Sequence, residues 1–233
     1  MDNATLRYTA EQRLKDRYGM PIVYMLITLA INLAISYFDP AGVGTIEPVE
    51  LTLEESLLSL GLSILSFLVS AGLSYGFVVF YQAVAMELPP SLSAGLFSGF
   101  TTRYGRSLGM SILISIYVSL WSLLLIIPGI IAAYSYSMAF YLLVREPDLT
   151  ASDAIARSKR LTTGYKWQIF CLNFSYIGWY LLSILTFGIL LLWVVPRNNT
   201  AQMLLFEEIY ERDYKRCHPE PFTPLGENTA DAL

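Results

Sequence analysis

Arg197 stands with Pro196, Asn198, Asn199, Thr200 and Gln202 in an otherwise apolar stretch, and this is where the chain is best equipped for chemistry. A guanidinium is a planar fork that grips a phosphate or carboxylate at two points. Amides at Asn198, Asn199 and Gln202 add donors and acceptors, so the four residues form a candidate ligand-binding set. A charge at the bilayer centre costs about 2.5–3.5 kcal/mol on insertion scales and must face protein or water. Three readings stay open. Arg197 serves backbone broken at Pro196, or pairs with polar groups such as Asn32, Gln82 or Asn173; it lines a polar cavity for an anion; or its hairpin is shallow and it lies in the cytoplasm.

Other chemistries find little support. The sole histidine is His218, in a polar tail, so an H-E-x-x-H metal site is absent. There is no C-x-x-C, no G-x-S-x-G and no phosphate-binding glycine loop. No acid is expected inside an apolar span, which removes the usual aspartyl dyad and the usual proton relay. Cys171 and Cys217 predict no disulfide framework. The expectation is a non-enzymatic protein with no metal, no cofactor and no nucleic-acid partner.

The elements that carry these residues are apolar helices. Of 233 residues, 55% are hydrophobic and 15% charged, a balance that excludes an ordinary soluble domain. Six spans emerge at 21–38, 53–86, 108–127, 130–144, 167–186 and 189–209. Bases cluster in alternate segments: Arg7, Arg13, Lys15 and Arg17; then Arg103 and Arg106; then Arg145, Arg157, Lys159, Arg160 and Lys166; then Arg212, Lys215 and Arg216. The segment after the first span instead holds Asp39, Glu47, Glu50, Glu54 and Glu55. Basic loops stay inside, so both termini are expected in the cytoplasm and the chain in a bacterial cytoplasmic membrane, multi-pass. The predicted fold is all-α and polytopic, with six transmembrane helices as three hairpins, each preceded by a short amphipathic interfacial helix. Residues 1–216 form one membrane domain, with repeats at about 4–87, 90–145 and 147–210, and 217–233 a disordered tail.

Local signals refine this plan. Thr52 and Glu55 predict a capping box opening the second span, which at 1.5 Å per residue extends about 51 Å. Pro128-Gly129 predicts the tight turn of the second hairpin, and Thr186-Phe187-Gly188 that of the third. Gly72/Gly76 and Gly105/Gly109 allow close helix approach. If the last span begins near Ile189, Arg197 lies about 12 Å inside.

The interfacial helices mark an internal repeat. Pro90-Ser91-Leu92-Ser93-Ala94 and Pro147-Asp148-Leu149-Thr150-Ala151 share P-x-L-[ST]-A, and Thr101-Thr102-Arg103-Tyr104 echoes Thr162-Thr163-Gly164-Tyr165. In the third copy Thr150 caps and Ala151, Ala154, Ile155, Ser158 and Leu161 form one stripe. In the first, Thr9 and Gln12 form a capping box, with Leu6, Ala10 and Leu14 on one face. Such helices lie in the headgroup plane with the apolar face down. Arg103, Arg106, Arg157, Lys159, Arg160 and Lys166 are then the candidate lipid-headgroup contacts. Membrane lipids are the expected partners, together with a membrane protein or a second copy of the chain.

Tyr104-Gly105-Arg106-Ser107-Leu108-Gly109, the run Trp121-Ser122-Leu123-Leu124-Leu125-Ile126-Ile127-Pro128-Gly129-Ile130-Ile131 and Leu192-Trp193-Val194-Val195-Pro196 resemble a family of bacterial integral membrane proteins, domain of unknown function 975. The resemblance covers roughly residues 90–210. It implies a six-helix bacterial membrane protein and no established activity or catalytic residues.

Overall fold

A computed structural model describes residues 2–15, 18–38, 52–101, 104–124, 126–146 and 148–217. The acidic segment 39–51, Arg17, Arg103, Pro147 and the tail from His218 lie outside the described residues. Within them there are ten helices: α1 Asn3–Leu14, α2 Gly19–Tyr37, α3 Leu53–Ala85, α4 Leu92–Phe97, α5 Tyr104–Leu124, α6 Ile126–Tyr136, α7 Ala139–Arg145, α8 Ala151–Leu161, α9 Lys166–Leu185 and α10 Leu191–Cys217. By length and composition, four are suited to cross a membrane: α2, α3, α5 up to Leu123, and α9. The predicted fourth span is divided into α6 and α7, and the predicted sixth is α10, which carries Pro196 inside it.

Helix starts follow capping chemistry, with one correction. The Thr52–Glu55 capping box is present: Glu55 accepts from the Thr52 amide at 2.9 Å and donates its own amide to the Thr52 hydroxyl at 3.3 Å. Thr150 caps α8 by accepting from the Asp153 amide at 3.2 Å. Helix α1, however, starts at Asp2, whose carboxylate accepts from the Asn3 amide at 2.8 Å, so Thr9 and Gln12 are mid-helix and form no capping box. An ionised carboxylate favours the positive helix end and wins an earlier start. The repeat is also imperfect. Ser91 caps α4 from the second position of its motif, whereas Thr150 caps α8 from the fourth.

Pro128 and Gly129, predicted to form a tight turn, lie instead in the first turn of α6, which begins at Ile126. Proline is tolerated there because first-turn amides have no intrahelical partner. Gly129 acts through closeness: a Cβ on it would stand 2.3 Å from the Ser122 hydroxyl oxygen and 2.9 Å from its Cα. Between α9 and α10 the backbone leaves the helix at Thr186-Phe187-Gly188. Gly188 (φ 83°) and Phe187 (φ 49°) are left-handed, and the Gly188 amide bonds back to Ser183 O at 2.8 Å.

The core closes only one end of the molecule. Helix α3 has 33 residues, about 50 Å; its second half, from Ala71, is buried, while Leu53, Leu57, Leu60 and Ile64 in the first half are exposed. Helix α3 packs against α1, α2, α4, α5, α7 and α10. Leu6, Ala10 and Leu14 are fully buried, as are Leu142 and Leu143 of α7, and Ile155 and Leu161 of α8 are nearly so. Leu6, Ala10 and Leu14 of α1, and Ala154, Ile155, Ser158 and Leu161 of α8, are thus buried against protein. Helix α4 is seated on α3 through Gly72 and Gly76, whose missing side chains leave room for Phe100 and the Gly95 carbonyl. Gly105 and Gly109 make no such approach: nothing lies within 4 Å of a Cβ on Gly105, and only Ala151, at 4.0 Å, meets one on Gly109.

Candidate functional site

The four predicted ligand-binding residues occupy consecutive faces of α10 and do not form one site. Asn198 and Gln202, one turn apart, face α9. The Asn198 amide donates to the Tyr180 hydroxyl at 3.1 Å and to Asn173 Oδ1 at 3.4 Å, and Gln202 donates to the same Asn173 oxygen. Asn199 meets the Tyr81 hydroxyl of α3. These amides tie α3, α9 and α10 together. Asn173→Leu strands Gln202 and leaves Asn198 with Tyr180, and a loss of about 1–3 kcal/mol is expected. It is measured as a lower unfolding temperature in detergent; an unchanged value would mean the amides find water instead.

Arg197 turns the other way. Its Nη2 meets Glu11 Oε2 of α1 at 2.5 Å, and its Nε is buried without a partner. The partners expected from sequence, Asn32, Gln82 and Asn173, are not used: Asn32 bonds to Thr28 O at 2.8 Å, and Asn173 serves α10 as above. The reason is helical rotation, since Arg197 is one residue, about 100°, from Asn198. Tyr18, which precedes α2, lies within the field of both Arg197 and Glu11, and burial raises its hydroxyl above the usual phenol range.

Between α1 and the α9–α10 hairpin lies a cleft of about 330 Å³, open to one side. Arg7, Tyr8 and Glu11 of α1 form its floor; Tyr176, Trp179, Trp193 and Arg197 form its wall. Arg7 and Glu11 are four residues apart and share one face of α1, which is the sequence signal that pointed to this cleft and was not used. No ion pair of Arg7 is found among the described residues.

The predicted headgroup contacts fare unevenly. Arg103 lies outside the described residues. Arg157 pairs with Glu146 and, at 3.9 Å, with Asp213 of α10; Arg160 reaches Asp213 at 3.4 Å. Arg106 and Lys159 are exposed, and Lys166 is partly so at the start of α9. Part of the basic collar is thus neutralised internally. The acid that sequence reasoning missed is Glu207. It bonds the Tyr141 hydroxyl and meets Arg145 at 3.3 Å, with the Arg145 side chain only 5% exposed. Beside it two guanidiniums lie over the Tyr210 ring, Arg145 at 5.1 Å and Arg157 at 5.7 Å from its centre. Burial and the bond to Glu146 push the Tyr210 hydroxyl up to about 12, so it stays a donor at neutral pH. Among the described residues no three His, Cys, Asp or Glu side chains gather as a metal site.

The chain is an all-helical protein whose four long apolar helices suggest a membrane protein. Residues 123–213 match the family described as protein of unknown function (DUF975), the family that the sequence motifs resemble. The match runs from the end of α5 into the last turns of α10 and leaves the Tyr104–Gly109 motif outside. No curated protein and no solved structure matches the chain.

Proposed function

We propose that this is a non-enzymatic, lipid-interacting protein of a bacterial cytoplasmic membrane, with both termini inside. The observation that carries the reading is the division of the molecule into a closed helical core and an outer half with exposed large apolar side chains. Leu57, Ile64, Ile116, Leu120, Leu181 and Leu185 are all more than half exposed or nearly so, and a bilayer is the solvent that suits them. The mutual pairing of the amides on α9 and α10 favours a structural role for them.

The third hairpin is shallow on this reading. Arg197 is held beside Glu11 and near Tyr18, where α2 begins. From there α2 rises 19 residues, about 28 Å, close to the roughly 30 Å of a hydrocarbon core. From Arg197 back to Leu191, where α10 starts, is only about 9 Å of helix, and Phe187 lies in the turn before it. Helix α9 is long enough to cross, yet Tyr176, midway along it, already shares the cleft with Arg197. The hairpin therefore enters from the inner face and stops near mid-bilayer.

Cysteine labelling with an impermeant reagent tests this in a variant lacking Cys171 and Cys217. Phe38→Cys should label in intact cells. Phe187→Cys should stay unlabelled from either face until the membrane is dissolved. Labelling of Phe187→Cys in intact cells would mean a full crossing, and labelling of a separate variant that keeps Cys217 and lacks Cys171 would reverse the orientation.

One observation favours a second reading, a small-solute or lipid transporter. A groove of about 390 Å³ is lined by Asn32, Ser70, Ser74 and Gln202 along with apolar residues of α2, α3 and α10. Solute flux in proteoliposomes, lost on Gln202→Leu, would support that reading over the first.

A further inference from the structure

We propose that the cleft between α1 and the α9–α10 hairpin binds a phosphate group, presented by the headgroup of an anionic phospholipid in the inner leaflet. The inference rests on the lipid-interacting reading and names the ligand and its site. Three observations converge on the cleft. The first is charge: Arg7 and Arg197 face a single acid, Glu11, so the site keeps one net positive charge. The second is unspent hydrogen-bonding capacity. Tyr176 is 4% exposed, lines the cleft and has a hydroxyl with no hydrogen-bond partner among the described residues, and Arg197 Nε is likewise buried and unpaired among them. Buried polar atoms without partners are uncommon in native structures and call for a ligand or water.

The third is the shape of the lining. Trp179 and Trp193, about half exposed, stand above the arginines toward the apolar tip of the hairpin. Tryptophan favours the membrane interface, where one side of the ring is wet and the other apolar. A phosphate at the arginines would leave the glycerol and upper acyl chains against the two indoles. Glu11 is half exposed and holds the Arg197 fork in place; an arriving phosphate takes over that fork and Arg7 closes on it from α1. Free phosphate would satisfy the same donors but would gain nothing from the indoles.

The test uses full-length protein, stripped of lipid in detergent and titrated with phosphatidylglycerol, with thermal shift and native mass spectrometry as readouts. Arg7→Gln and Arg197→Gln are compared with the wild type. Arg7 has no ion pair among the described residues and Glu11 is half exposed, so both variants should fold and melt near the wild-type temperature without lipid. Each should bind phosphatidylglycerol about tenfold or more weakly, as expected for one charge-assisted contact. Arg197→Lys, which keeps the charge and loses the fork, should fall between. Phosphatidylglycerol binding that is unchanged in both variants would overturn the cleft assignment while leaving the lipid-interacting reading intact. No stabilisation of the wild type by phosphatidylglycerol would sink that reading itself. Millimolar inorganic phosphate that displaces the lipid completely would assign a free-phosphate site and overturn the lipid assignment.

Discussion

Gly76→Ala should cost the protein about 3 kcal/mol or more, at the upper end of what overpacking a core produces. The added Cβ would lie 1.7 Å from the Gly95 carbonyl oxygen. Both sides of the contact are helix backbone, so no rotamer change can relieve it, and α4 must lift off α3. Gly99→Ala should behave alike, because its Cβ would meet the Gly72 carbonyl at 2.0 Å. Gly105→Ala is the control: nothing lies within 4 Å, and alanine is a better helix former by about 1 kcal/mol, so it should be neutral or stabilising. Thermal unfolding in detergent reads all three. If Gly76→Ala melts like the wild type, α4 is not seated on α3 through these glycines.

Arg145→Met should be comparably damaging. Removing one partner of a buried ion pair leaves an uncompensated charge and costs about 3–5 kcal/mol. Here Glu207 would remain beside α7 with only Tyr141 to serve it, and the Tyr210 ring would lose one of its two guanidiniums. The double variant Arg145→Met/Glu207→Leu should recover most of the loss, because it removes both charges while keeping their volume. Failure of the double variant to recover would mean that packing on Tyr210, rather than charge pairing, is what Arg145 supplies. The measured quantity is the coupling between the two sites in a double-mutant cycle.

Much of the local structure was legible in the sequence because it depends on neighbours in the chain. The Thr52–Glu55 box, the Thr150 cap and the Phe187-Gly188 turn each need only a few residues to be specified. The stripe Leu6, Ala10, Leu14 was equally visible, since helical periodicity alone puts it on one face. What the stripe would touch was not visible. A membrane surface and a neighbouring helix both accept an apolar face, and nothing local separates them. The same limit explains Arg197. Its polar surroundings marked it, but its rotation relative to Asn198, and so its choice of α1 over α9, depends on how distant helices pack. Pro128-Gly129 misled for a related reason: glycine at a turn and glycine at a close helix crossing look the same in sequence. Glu207 was hidden because an acid at the end of an apolar run resembles an ordinary interfacial charge.

The seat of α1 has a consequence for how the protein is made. Glu11 and Arg197 are 186 residues apart, so α1 leaves the ribosome well before the helix that completes its seat. At about 5–20 residues per second, α1 waits roughly 10–40 s with Leu6, Ala10 and Leu14 uncovered. In that interval the adjacent membrane surface or a chaperone must shelter its apolar face. A chain halted before α10 would leave α1 unclaimed and exposed to quality-control proteolysis, so a defect in the last helix should first be seen as degradation of the N-terminus.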